Sequence, residues 1–154
     1  MNESIYHARK ELVRAEQLLF VSLKQSRNVD VIKNTIKRLI SAFDFGIDAL
    51  LIYSKEKKKI NEVPTLVRLK LDELRKVFGD NEQIMSYLEF YNLLRKLDKA
   101  KFDRSLEYRR YVTMTAFIDE GDVLVDIDIL GDYYKKSVDF INLVDDIINE
   151  AEKE

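Results

Sequence analysis

Cysteine and tryptophan are absent, histidine and proline occur once each, and glycine occurs four times in 154 residues. Without cysteine there is no disulfide, thiolate metal site, iron–sulfur cluster or cysteine nucleophile. The single histidine, His7, leaves little room for imidazole acid–base catalysis. Four scattered glycines cannot build a Gly-rich phosphate loop, and one proline leaves few places to break a helix. Neither charge sign dominates: 26 Lys+Arg stand against 28 Asp+Glu, a net −2. That balance argues against a dedicated basic nucleic-acid binder while leaving local patches open. The longest purely apolar run, Ala49 to Tyr53, is far short of the ~20 residues that span a bilayer. Met1 to Ser4 lead straight into a charged amphipathic pattern, with no apolar leader core. The expected location is the cytoplasm, with no membrane contact.

What is present is a chain with 46% hydrophobic and 35% charged residues, long enough for one core to bury roughly two-thirds of its unfolded surface. A single domain over residues 1–154 is expected. Ile5, Ala8, Leu12, Ala15 and Leu19 recur at helical spacing and predict a first helix from about Ser4, a candidate N-cap, to Ser26. Ile32, Ile36, Leu39, Phe43, Ile47 and Leu50 predict a second over Asp30–Ser54, and Gly46 inside it predicts close approach of another helix. Lys55 to Lys59 read as its solvated C-terminal cap. A third helix is predicted from Thr65 to Phe78, after Pro64, with Leu66, Leu69, Leu74 and Val77 apolar and Gly79 as its left-handed stop. Asp80-Asn81 can cap a fourth from about Glu82, striped by Ile84, Leu88, Tyr91, Leu94 and Leu97. A closing helix runs from Tyr133 to Ala151 on Val138, Ile141, Val144 and Ile148. Val123 to Leu130 alternates in part, but a lone strand lacks a partner, so an extended connection is expected. The fold class that follows is an all-α, four- to five-helix up-and-down bundle.

Chemistry-bearing constellations are few. A di-iron bundle site needs paired Glu and Glu-x-x-His groups, and His7 with Glu3 and Glu11 supplies one histidine only, read as a surface residue. The run Asp119, Glu120, Asp122, Asp126, Asp128 and Asp132 contains no base. It reads as a solvated acidic loop, with calcium or magnesium as the alternative and the EF-hand spacing unmet. From Arg95 to Arg110 seven cations face three carboxylates, a local +4. On one unbroken helix Arg104 would enter an apolar face, so a break near Ala100 to Asp103 is preferred over a polar pocket. Tyr108 and Tyr111 interleave with Arg104, Arg109 and Arg110, a pattern that suits RNA phosphate contact with base stacking. It equally suits ordinary packing by snorkelling side chains.

The opening Ala8–Glu16, the Ala42–Leu50 stretch, and Glu107-Tyr108-Arg109-Arg110-Tyr111 followed by an acidic loop and a closing helix together resemble the HEPN superfamily of helical bundles. That resemblance implies a dimer and, in active members, an Arg followed several residues later by a His. Arg109 or Arg110 stands where the Arg would be, but the corresponding positions hold Met114, Thr115, Ala116 and Phe117. Arg alone binds a phosphate without an acid–base partner. The expectation is therefore a non-enzymatic HEPN-like binding or scaffold module without cofactor or metal. Its contact surface is Arg104, Tyr108, Arg109, Arg110 and Tyr111, and its partners are a homodimer mate, another protein, or RNA or nucleotide phosphates. The alternative is a ribonuclease or nucleotide-handling enzyme of toxin–antitoxin type that recruits Arg110, Glu107 and Tyr111. Homodimerisation is also expected from Tyr87, Tyr91, Tyr133 and Tyr134, more tyrosine than one small core needs.

Overall fold

Helical periodicity governs most of the chain in the computed structural model, which describes residues 3–153. Helix α1 (Glu3–Gln17) continues through a π-helical turn (Leu18–Ser22) into α2 (Leu23–Ser26), forming one rod. Helix α3 (Val29–Glu56) returns along it, and α4 (Val67–Phe78), α5 (Glu82–Lys99) and α6 (Ile127–Lys153) complete the helical set. Ser4 lies inside α1, which already begins at Glu3.

Helix α3 is the axis of the core. Its six-residue stripe from Ile32 to Leu50 is fully buried, as its spacing requires. Rings meet around Phe43: Phe140 of α6 stacks on it at 4.5 Å and 7°, while Phe90 and Tyr91 of α5 close the other sides. Gly46 permits this contact, because a Cβ there would lie 2.7 Å from both Ile141 Cδ1 and Phe140 Cε2. The close approach expected from that glycine is realised between α3 and α6. Buried Glu11 ties α1 to α3 through Arg38 at 3.2 Å, with Arg14 of its own helix at 2.8 Å. Arg9 joins α1 to α6 through Asp145 at 3.0 Å.

The stripe of α5 is buried as expected, and Asn81 caps it by accepting from the Ile84 amide at 3.1 Å. The stripe of α4 is different. Its first residue is Val67, so Leu66 precedes the helix and is 65% exposed, and Leu69 faces solvent. The buried side chains are Leu71 and Leu74, and Gly79 ends the helix at φ −57°, a right-handed conformation rather than the left-handed stop expected. Lys58, exposed and at φ 60°, closes α3, and the Lys59 amide reaches back to the Ser54 carbonyl at 2.8 Å.

The all-α expectation needs one correction: the chain is mostly helical but carries a small antiparallel sheet between α5 and α6. Strand β1 (Lys101–Ser105) pairs with β2 (Thr113–Ile118), and β2 with β3 (Gly121–Val125). The helix break near Ala100 occurs where expected, but the segment after it is β1. Two strands that the sequence did not announce thus pair into a sheet with the Val123 alternation. The inward row of Met114, Ala116 and Val125 is buried against the helices. Helix α6 starts six residues before the expected Tyr133, because Asp126 accepts from the Ile129 amide at 2.9 Å and caps it. Among the described residues no helix is long and apolar enough to cross a membrane.

Candidate phosphate-binding corner

The loop between β1 and β2 docks on the corner where the first rod turns into α3. Arg27 makes that turn in the left-handed region, φ 50°, with its amide on the Leu23 carbonyl at 2.8 Å. Its own carbonyl accepts from the Tyr108 amide at 2.8 Å, and its guanidinium donates to the Arg110 carbonyl at 3.3 Å. Glu107 accepts from the Val29 amide at 3.3 Å, adding to the Asn28 cap on the Asp30 amide at 2.7 Å. Leu106 and Tyr108 are also left-handed, at φ 54° and 67°. Each such conformation costs a side-chain-bearing residue roughly 1–2 kcal/mol. Three of them meet in one contact, a concentration of strain of the kind that functional sites tolerate.

The five candidate contact residues divide here. Tyr108, Arg109, Arg110 and Tyr111 share the loop, and Tyr108 is 79% exposed. Arg109 and Arg110 have no ion-pair partner among the described residues, and the Arg110 guanidinium lies 5.3 Å from the Tyr111 ring centre. Arg104 is different: Asp30 holds it at 2.7 Å and Glu107 at 3.7 Å. The Asp30 hydrogen bond pushes its pKa further up, so its charge is committed to clamping the loop.

Beside the loop opens a cleft of about 450 Å³ in which Arg110 joins Lys24, Arg27, Phe20, Asp128 and Asp132. Lys24 and Arg27 also lack ion-pair partners among the described residues. Sequence reasoning missed both, taking Ser26-Arg27-Asn28 as a polar turn only. The π-helical turn beneath the cleft, which carries Leu19 and Phe20, has no sequence signature, although such turns recur at functional sites.

His7 is exposed on α1 between the Tyr6 and Phe45 rings, 5.6 and 5.3 Å away. It is twenty residues from Arg27, about 30 Å along the rod at 1.5 Å per residue. Glu107, the base of the enzymatic alternative, is half-buried and bound to the α3 N-terminus and Arg104. The acidic run is dispersed: Glu120 pairs with Lys96, and Asp126 and Asp128 serve the α6 N-terminus. Among the described residues no group of three or more His, Asp or Glu is arranged to hold a metal. The four tyrosines offered as surplus are used internally. Tyr91 and Tyr133 are buried, Tyr87 packs on Phe140 at 5.4 Å, and Tyr134 bonds Glu16 at 3.2 Å.

A second polar cluster ties α3, α4 and α5. The Tyr91 hydroxyl donates to Asp44, Lys70 pairs with Asp48 at 2.7 Å, and Arg95 lies 5.6 Å from the Tyr91 ring centre. Burial raises the Asp44 pKa despite the Tyr91 hydrogen bond, and burial with the Asp44 contact raises that of Tyr91.

No family model, curated protein or solved structure matches the chain.

Proposed function

We propose that the protein is a non-enzymatic, HEPN-like binding module that takes the phosphates of single-stranded RNA or of a nucleotide at the cleft beside residues 106–112. The observation that carries this reading is the cleft itself: Lys24, Arg27 and Arg110 line it, Arg109 stands in the adjoining loop, and none of the four has an ion-pair partner among the described residues. Guanidinium groups beside exposed tyrosine rings suit phosphate contact with base stacking. Asp128 and Asp132 on the same cleft repel a continuous phosphate backbone and accept from sugar hydroxyls. They favour a single nucleotide or a strand end over duplex.

Fluorescence anisotropy of a labelled single-stranded RNA oligonucleotide tests the proposal. Binding should weaken steeply with salt. Arg27→Ala and Arg110→Ala should each lower affinity and cut the salt slope by about 0.7 for every phosphate no longer neutralised. Arg9→Ala, remote and paired with Asp145, should leave both unchanged. Absent or salt-independent binding removes nucleic acid as the ligand. Cleavage of structured RNA that disappears in Arg110→Ala would replace this reading with the ribonuclease one. A homodimer or a protein partner belongs to the same proposal, supported by exposed Tyr6, Val13, Phe20 and Val21 on the first rod. Sedimentation equilibrium that gives only the 18.2 kDa species at micromolar concentration excludes the homodimer.

A further inference from the structure

Strand β3 is an outer strand. Among the described residues it pairs with β2 on one side and with no strand on the other. In an antiparallel ladder alternate residues turn their N–H and C=O groups to the open side, where they await a partner. Gly121 to Val125 contain neither lysine nor proline, and Asp122 is the one charged residue on the strand. Along the strand runs a groove of about 560 Å³, walled by Asp122, Val123 and Leu124 on one side and by Ile129 and Tyr133 of α6 on the other. Leu124 is 60% exposed, and the register puts Phe117, also exposed, on the same face of the sheet.

The charge carried by the strand and its flanking turns is of one sign. Residues 119–126 hold Asp119, Glu120, Asp122 and Asp126 and no base. Glu120 is neutralised by Lys96 and Asp126 is engaged as a cap, whereas Asp119 and Asp122 have no ion-pair partner among the described residues. Further along the groove Asp132 and Asp139 stand against Lys135 and Lys136, the latter drawn over the Phe90 ring at 5.1 Å, so the uncompensated charge lies at the β3 end. A second copy of β3 would bring the same carboxylates against these, and like charges facing each other across strands are destabilising. The acids therefore guard against self-pairing and select the opposite sign.

We propose that the β3 edge accepts, as a fourth strand, an extended segment of a partner protein in which Lys or Arg alternates with apolar residues. Main-chain bonds to β3 supply the affinity of this mode. Apolar side chains enter the groove between Val123 and Ile129, and the cations, on the opposite face, meet Asp122, with Asp119 at the end of the strand. Five residues of strand at about 3.3 Å each offer roughly 17 Å of edge. The groove shares Asp132 with the cation-lined corner, but the β3 edge and Asp119 and Asp122 lie outside that corner, so the proposal does not depend on it.

A fluorescein-labelled Lys-Val-Lys-Val-Lys-Val-Lys peptide is the probe, read by anisotropy and by amide hydrogen exchange of the intact protein. Binding should exceed that of the Glu-Val counterpart by about tenfold or more. Exchange should slow in alternate amides of residues 121–125. Asp122→Lys should weaken binding by a similar factor, and the probe N-methylated at alternate residues, with charge and side chains kept, should lose it. Equal binding of the N-methylated probe would mean attraction by charge alone and would overturn the proposal. Protection confined to other elements, equal binding of the acidic peptide, or no response at millimolar probe would do the same. Protection of β3 in the free protein that rises with protein concentration would make a second copy the occupant, and the proposal fails.

Discussion

Two glycines in helices should respond to the same substitution with opposite signs. Gly46 sits where α3 crosses α6, and an added Cβ would meet Ile141 Cδ1 and Phe140 Cε2 at 2.7 Å. Ordinary carbon contacts begin near 3.5 Å, so both side chains must retreat by about 0.8 Å. Ile141 can turn, but the Phe140 ring is held against Phe43 at 4.5 Å and 7°. Overpacking of this kind costs about 1–3 kcal/mol, and alanine returns about 1 kcal/mol of helix propensity. The expected net loss for Gly46→Ala is about 1 kcal/mol, a drop in Tm of about 3 °C for a chain of this size. Gly131, in the second turn of α6, has nothing within 4 Å of the same added atom and no positive φ. Gly131→Ala should therefore gain about 1 kcal/mol and raise Tm by about 3 °C. Urea and thermal unfolding followed by circular dichroism read both. Coupling Gly46→Ala to Ile141→Val should recover part of the loss, as residues in contact do not add. A Gly46→Ala protein at least as stable as wild type would refute the packing described between α3 and α6.

Tyr91→Phe removes the hydroxyl that donates to Asp44 and should destabilise by about 1–3 kcal/mol at neutral pH. Because burial raises the Asp44 pKa in the folded state, its contribution is present at low pH and lost as pH rises through the folded value. The Tyr91 hydrogen bond acts the other way, pulling the Asp44 pKa down by favouring its carboxylate, so the Tyr91→Phe deficit should be largest where Asp44 is ionised and shrink as it is protonated; unfolding midpoints that differ equally at pH 3 and pH 7 would contradict this. Tyr108→Gly relieves a left-handed residue at φ 67° and should raise stability by about 1 kcal/mol while weakening RNA binding. Loss of stability in that variant would show that the exposed ring matters to folding and not to a ligand.

Long amphipathic elements were legible because each apolar side chain obeys a 3.6-residue period for many turns. The stripes of α3 and α5 are buried residue for residue, and Gly46 announced the helix that crosses it. Short elements were not. Strand β1 reads Lys-Phe-Asp-Arg-Ser, whose charges look like the tail of a basic helix, and only Phe102 turns inward. Strand β2 alternates through Met114 and Ala116, but six residues carry too little periodicity to decide without a partner. The strand partner of Val123 was therefore invisible, and so was the early start of α6 at a cap inside an acidic run. At the candidate site, Tyr108, Arg109, Arg110 and Tyr111 were read from local composition. Arg27 and Lys24 lie some eighty residues away, and only the folded corner brings them to the loop.

The same folding brings part of the segregated charge along the chain into opposed pairs. The basic stretch ending at Arg110 and the acids from Asp119 are opposed in sequence, yet Lys96 closes on Glu120, Arg104 on Asp30, and Asp126 on a helix end. At the corner, Lys24, Arg27, Arg109 and Arg110 stay without ion-pair partners among the described residues, beside the left-handed Arg27, Leu106 and Tyr108. Folding stability alone disfavours both features: glycine at φ 50–67° would relieve strain, and one carboxylate would quiet two neighbouring guanidinium groups. Both features meet at Arg27, over a π-helical turn that also departs from the ideal. The anion proposed for this cleft would supply the opposing charge, and the left-handed residues hold the loop beside it.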